Sequence, residues 1–100
     1  MRKRYVTVIF ETNGHPYTYA SYDSSLHTGD LAVVKTAGGK KTVLIVKVSL
    51  YGRADAWILR KANTAERKQF LKKEPELKKQ VRDEQNWIDD LEMFSAMWEE

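Results

Sequence analysis

The sequence predicts an α+β domain, a small five-stranded antiparallel barrel or curled sheet followed by a short and a long C-terminal helix. Five short segments rich in β-branched and aromatic residues fill residues 1–62 and are separated by tight-turn signals. From residue 63 onward the apolar residues recur at helical spacing instead. One hundred residues fit a single domain, with residues 63–100 as a helical extension of the β part.

The central hairpin, Leu31 to Leu50, organises the predicted sheet. Two strands flank the sequence Gly-Gly-Lys-Lys at 38–41, where glycine supplies the positive φ of a tight turn and presents the two lysines at the tip. Side chains alternate along a strand, so the second strand has two faces. We assign the core to the face of Leu44, Val46, Val48 and Leu50, and place Val43, Ile45, Lys47 and Ser49 on the other.

Three shorter strands complete the predicted sheet. Tyr5 to Glu11 is the first, and Asn13-Gly14 is a strong hairpin signal before the second, Tyr17 to Tyr22. A polar connection spans 23–30, and Ala56 to Arg60 is the last strand.

Two helices are predicted after the sheet. Asn63 and Glu66 have the spacing of a capping box, which starts a helix reaching Lys73. Pro75 ends it or starts the next, which we expect to run from about residue 75 nearly to the end. That second helix carries an apolar stripe of Leu77, Val81, Ile88, Leu91 and Trp98, widened by Trp87 and Phe94.

The formal net charge of +3 hides a division along the chain. Residues 1–63 hold ten Lys or Arg against four Asp or Glu, a net +6, and residues 64–82 hold seven against three, a net +4. Residues 83–100 hold seven acids and no base, a net −7. The basic part could attract a polyanion. The acidic tail could attract a basic partner, or fold back and mask the basic face of its own domain.

Composition argues against several classes of function. The chain has no cysteine, and His15 and His27 lack a second ligand at a metal spacing, so we expect no metal and no cofactor. No motif marks a nucleophile or an acid–base pair, so we expect no catalytic residue and no enzyme activity. No apolar run approaches the roughly 20 residues that span a bilayer, and the first residues do not form a signal peptide. We therefore expect a cytoplasmic protein without membrane contact.

The pattern of Tyr17-Thr18-Tyr19, then residues 26–34, then Gly39-Lys40 and Val43 to Val48 resembles small SH3-like barrels. It looks like the DNA-binding domain at the start of the primosomal replication helicase and like KOW modules of ribosomal and transcription proteins. The chain is also similar to small bacteriophage accessory proteins, which join a compact β domain to a charged helical tail. The resemblance implies nucleic-acid binding for the barrel, and covers about a third of the chain.

Two function hypotheses follow. In the first, the domain binds nucleic acid, which we expect to be DNA, with little sequence preference. Aromatic platforms beside cationic grooves bind single strands, so Tyr17 and Tyr19 would stack on bases. The phosphate contacts would come from Lys35, Lys40, Lys41, Lys47 and Arg53. A wider basic stripe would add Arg2 to Arg4, Arg60 and Lys61. In the alternative without nucleic-acid binding, the lysines only keep the surface soluble and the tyrosines pack in the core or across strands.

In the second hypothesis, the acidic aromatic tail binds and modulates a host or partner protein. An amphipathic helix docks in a groove through buried aromatic anchors, with acids steering it toward a basic surface. The residues concerned are Trp87, Asp89, Asp90, Leu91, Phe94 and Trp98. The alternatives are that the apolar stripe packs on its own barrel or on a second copy of the chain, forming a homodimer.

Overall fold

The computed structural model describes residues 2–81, so Met1 and residues 82–100 lie outside the described residues. All five predicted strands are present: Arg4–Ile9 (β1), Tyr17–Ser21 (β2), Leu31–Thr36 (β3), Gly39–Ser49 (β4) and Ile58–Lys61 (β5). They form one antiparallel sheet in the order β2-β1-β4-β3-β5. A helix, Thr64–Lys73 (α1), and a short 3-10 helix, Pro75–Gln80, follow.

The sheet curls until its two edges meet. The edge strand β2 contacts the residues just before the other edge strand, β5, through a single bridge between Ala20 and Trp57. The Ala20 N–H donates to the carbonyl of Ala56 over 2.9 Å. We call this meeting line the seam. The prediction of a curled antiparallel sheet is confirmed.

Both faces of the middle of β4 are buried, which corrects the predicted faces of this strand. Val43 and Ile45, predicted to face away from the core, pack inside the curl with Val6, Val8 and Val34. Leu44 and Val46 pack on the outer face, where α1, the 3-10 helix and the residue after it cover them with Phe70, Leu71, Leu77 and Val81.

A register shift explains the rest of this correction. Thr7 pairs with Lys47 but Val8 pairs with Ile45, which leaves Val46 as an extra residue in β4. A β-bulge of this kind changes which way the following side chains point. Val48 accordingly packs against the inner cluster. Leu50, also assigned to the core, lies beyond the end of β4 and is 40% exposed.

The turn of the central hairpin begins one residue earlier in the sequence than predicted. Thr36 pairs with Gly39, so Ala37 and Gly38 form the turn, and Gly39 adopts a φ of +106° inside the strand. Lys40 and Lys41 are therefore ladder residues of β4 and not the tip of the hairpin.

The predicted capping box is present at the start of α1. The Glu66 N–H donates to Asn63 Oδ1 over 2.8 Å, and the Asn63 N–H donates to Glu66 Oε1 over 2.9 Å. The predicted long helix does not begin at Pro75, because Pro75–Gln80 is a 3-10 helix and Val81 has the extended φ and ψ of −76° and 135°. The remainder of that predicted helix lies outside the described residues. No helix within residues 2–81 combines the length and apolar character needed to cross a membrane.

Candidate nucleic-acid interface

Two lysines face each other at the hairpin end of the sheet. Lys35 of β3 and Lys40 of β4 are directly paired across the strands, and both are exposed. Like charges directly opposite each other destabilise a strand pair. No described carboxylate forms a salt bridge with either lysine. The fold thus places two exposed, like-charged residues directly opposite each other at this end of the sheet.

Lys41 points to the other face of the same strand. It lines a cleft of about 500 Å³ at the open end of the curled sheet, together with Tyr17, Tyr19, His15 and Thr36. The structure therefore brings together three of the predicted site residues, one lysine and two tyrosines.

The two tyrosines differ in depth. Tyr17 is 51% exposed and meets Phe10 and His15 edge to face, with ring centroids 5.5 and 5.1 Å away. Tyr19 is only 9% exposed and belongs to the inner core, where burial, assisted by the nearby Tyr17, raises the pKa of its hydroxyl. Tyr19 therefore exposes far less of its side chain at the cleft than Tyr17 does.

A second cleft, of about 340 Å³, adjoins the first and shares Phe10, Glu11 and Lys41 with it. Helix α1 closes its far side and contributes Lys73 and Glu66, while β4 contributes Lys40. Sequence reasoning missed Lys73, because only the packing of Phe70 on the sheet places that part of α1 beside β4. We define the hairpin-end surface as Lys35, Lys40, Lys41, Lys73 and Tyr17.

Two carboxylates line these clefts: Glu11 lines both, and Glu66 lines the second. Glu66 is paired with a cation. Its carboxylate accepts hydrogen bonds from Arg60 Nη1 and Nη2 over 2.5 and 2.8 Å. Those bonds, the Asn63 N–H and the nearby charge of Lys40 lower the pKa of Glu66 to about 2. Arg60 is thereby paired, and Lys61 is similarly engaged, with its Nζ 3.7 Å from the buried carboxylate of Asp30. Neither contributes an unpaired charge to the predicted basic stripe.

Lys47 and Arg53 do not join the hairpin-end surface. Lys47 pairs with Thr7, six residues along β4 from Lys41, which is roughly 20 Å at 3.3 Å per residue. Arg53 lines a third cleft, with Lys3 and Tyr5, where β1 begins. Of the five residues predicted to contact phosphates, three therefore lie at one end of the sheet and two lie elsewhere.

The charge of the described region is strongly positive. Residues 2–81 hold 16 Lys or Arg and seven Asp or Glu, a net +9. Within this range no three acidic or histidine side chains are grouped so that they could hold a metal ion. The predicted partner-binding residues of the tail, from Trp87 to Trp98, lie outside the described residues. Comparison of the chain with protein-family models, curated proteins and solved structures found no match.

Proposed function

We propose that this protein is a non-enzymatic nucleic-acid-binding module that holds DNA with little sequence preference through its hairpin-end surface. Lys35, Lys40 and Lys41 contact phosphates, and Tyr17 stacks on a base at the mouth of the cleft. The proposal retains the SH3-like barrel as the finer description of the curled sheet.

The Lys35–Lys40 pair carries the proposal. Like charges directly opposite each other on adjacent strands cost stability, Glu66 is near Lys40 alone of the two, and a phosphate between the lysines would offset that cost. Lys41 and Lys73 surround the adjoining cleft, so a phosphate backbone crossing this end of the sheet meets four cations. None of the four contacts is directed at base edges, which is why little sequence preference is expected.

The test compares two double variants that have the same change in net charge. Lys40→Glu with Lys41→Glu reverses two charges on the hairpin-end surface. Lys78→Glu with Lys79→Glu reverses two exposed charges on the 3-10 helix. Anisotropy of labelled single-stranded and duplex 20-mers measures the affinity of each. We expect the β4 variant to lose at least tenfold in affinity and the 3-10 variant no more than threefold, because charge reversal acts mainly on directly contacted phosphates.

Equal losses in the two variants would mean that only net charge matters and would refute the site. Absence of binding by the wild-type chain to either oligonucleotide would refute the function.

A further inference from the structure

A second group of exposed rings lies on the seam. Tyr22, just after β2, and Trp57, just before β5, have ring centroids 5.2 Å apart and planes inclined by 31°. The rings stay 48% and 44% exposed. The Ala20–Trp57 bridge fixes the two backbones at this point, so the pair is held by the closure of the sheet and not by a mobile loop.

Cations accompany these rings. The ammonium of Lys3 lies 5.1 Å from the centroid of the Trp57 ring and 5.4 Å from that of Tyr5. Lys3 and Arg53 line one cleft, in which Asp55 is the acidic residue. The carboxylate of Asp23, next to Tyr22, is occupied by the N–H and hydroxyl of Ser25 at 2.8 and 2.5 Å. Exposed aromatic rings with neighbouring cations match the two parts of an unpaired nucleotide, its base and its phosphate.

We propose that Tyr22 and Trp57 form a second stacking site, which takes an unpaired base while Lys3 and Arg53 contact the adjoining phosphates. This inference rests on the proposed function and adds a preference for single strands. In a duplex the faces of the bases are covered by their neighbours, so only a single strand or an extruded base can place a ring on Tyr22 or Trp57.

The two sites lie at opposite ends of β2. Tyr17 and Tyr22 are five residues apart, about 17 Å along the strand. A single strand long enough to reach both sites gains from their linkage, because its second contact is intramolecular. Affinity should therefore rise steeply with the length of a single strand and then level off once both sites are occupied.

Side-chain replacements on the seam test the stacking step. Trp57→Leu and Tyr22→Leu should each weaken single-strand binding by about 5- to 150-fold, the range expected for one stacked base, and change duplex binding less than twofold. Trp57→Phe keeps a ring and should restore most of the affinity. Leu59→Ala removes a comparably exposed apolar side chain from β5 and serves as the control. The Ala20–Ala56 hydrogen bond is between backbones, so these variants should keep the fold.

A spectroscopic measurement reports on Trp57 itself. In the full chain carrying Trp87→Phe and Trp98→Phe, Trp57 is the sole tryptophan. Saturation with oligo(dT) should quench its emission, whereas poly-glutamate and duplex DNA of equal charge should not. Unchanged emission with the single strand, or equal quenching by poly-glutamate, would overturn the stacking site.

The outcomes separate this inference from the proposed function. Binding that needs Lys40 and Lys41 but is unaffected by Trp57→Leu would leave the proposed function standing and overturn the seam site. Equal losses for duplex and single strand in Trp57→Leu would also overturn it. A wild-type chain that binds neither oligonucleotide would overturn both.

Discussion

Replacing Glu66 by glutamine is predicted to destabilise the fold and strengthen nucleic-acid binding at the same time. The Glu66 carboxylate pairs with Arg60 of β5 through two hydrogen bonds and caps α1 through the Asn63 N–H. It also lines the cleft that contains Lys40, Lys41 and Lys73. Glutamine can keep the capping hydrogen bond, because its amide oxygen is also an acceptor. The substitution therefore removes the negative charge and one of the two hydrogen bonds from Arg60, because an amide NH2 cannot accept from Arg60 Nη2.

The expected loss of stability is about 1 kcal/mol at neutral pH. Exposed ion pairs typically contribute 0.2–1 kcal/mol, and the paired hydrogen bonds to one guanidinium place Glu66 at the upper end of that range. The side chains of Glu66 and Arg60 are 25% and 47% exposed, so water screens the pair and a larger value is not expected.

The pH dependence follows from the pKa of Glu66, which the fold lowers from an ordinary 4.5 to about 2. A carboxylate with a lowered pKa contributes its full stability above the unfolded-state pKa and loses it as the pH falls through the folded-state value. The difference in free energy of unfolding between wild type and Glu66→Gln should thus be constant from pH 7 to about 5 and shrink between about 4.5 and 2.

Urea unfolding at pH 7, 4.5 and 3 measures this difference, with Glu76→Gln on the 3-10 helix as a control variant that has the same change in charge.

At low salt we expect Glu66→Gln to bind DNA about two- to fivefold more tightly, because one negative charge leaves the cleft beside Lys40. Equal stability of wild type and variant at pH 7, or a difference that persists unchanged at pH 3, would refute the reasoning on the ion pair. Weaker binding would refute the role given to the cleft.

Two further predictions concern the fold. Phe70→Ala should destabilise the domain by about 3–5 kcal/mol in urea unfolding, because Phe70 is 5% exposed and anchors α1 on the outer face of the sheet. Gln69→Ala, on the exposed side of the same helix, should cost less than about 0.5 kcal/mol, and similar losses for both would contradict the packing described. Gly39→Ala should cost about 1–2 kcal/mol, because a φ of +106° is unfavourable for a residue with a Cβ. At Gly38 an added Cβ would lie at ordinary contact distance, 3.8 Å from Thr36 Oγ1, and no such φ is involved. Thermal unfolding of Gly38→Ala should therefore show a clearly smaller effect, and a reversed order would contradict the position of the turn.

Local signals predicted the elements well. The strands are runs of β-branched residues, and the capping box of Asn63 and Glu66 needs only four consecutive residues to form. Both depend on chemistry within a few residues of the chain. Leu77 and Val81 have helical spacing, which predicts that a long helix starts at Pro75. In the structure Leu77 lies on a 3-10 helix and Val81 is an extended residue, and both fill the outer core.

The faces of the sheet were harder to predict, since an argument from alternating side chains assumes that one face of the sheet is exposed to water. Here Val43, Leu44 and Ile45 are all fully buried, because the inside of the curl and the face under α1 both exclude water. A continuous run of apolar residues is typical of such a strand. The bulge at Val46 then reversed the alternation, and nothing in the local sequence marks it.

The candidate site was predicted in part. Lys41, Tyr17 and Tyr19 do share one face and one cleft, as their positions on strands imply. The depth of Tyr19 depends on how far the sheet curls, which no short-range pattern encodes. Pairings such as Arg60 with Glu66 and Lys61 with Asp30 join different elements, so the cations that remain unpaired could be identified only from the fold.

The salt dependence of DNA binding by the wild-type chain tests the central claim most directly. Four lysines contacting phosphates of a single strand predict that the logarithm of the association constant falls with the logarithm of salt concentration at a slope of about −3, since each phosphate contributes about −0.7. Contacts by Lys3 and Arg53 at the second site would make the slope steeper still. The Lys40→Glu and Lys41→Glu variant should lower the steepness of that slope by at least about 1.4 for its two lost contacts. A slope near zero, or one that the variant leaves unchanged, would contradict phosphate binding at the hairpin-end surface.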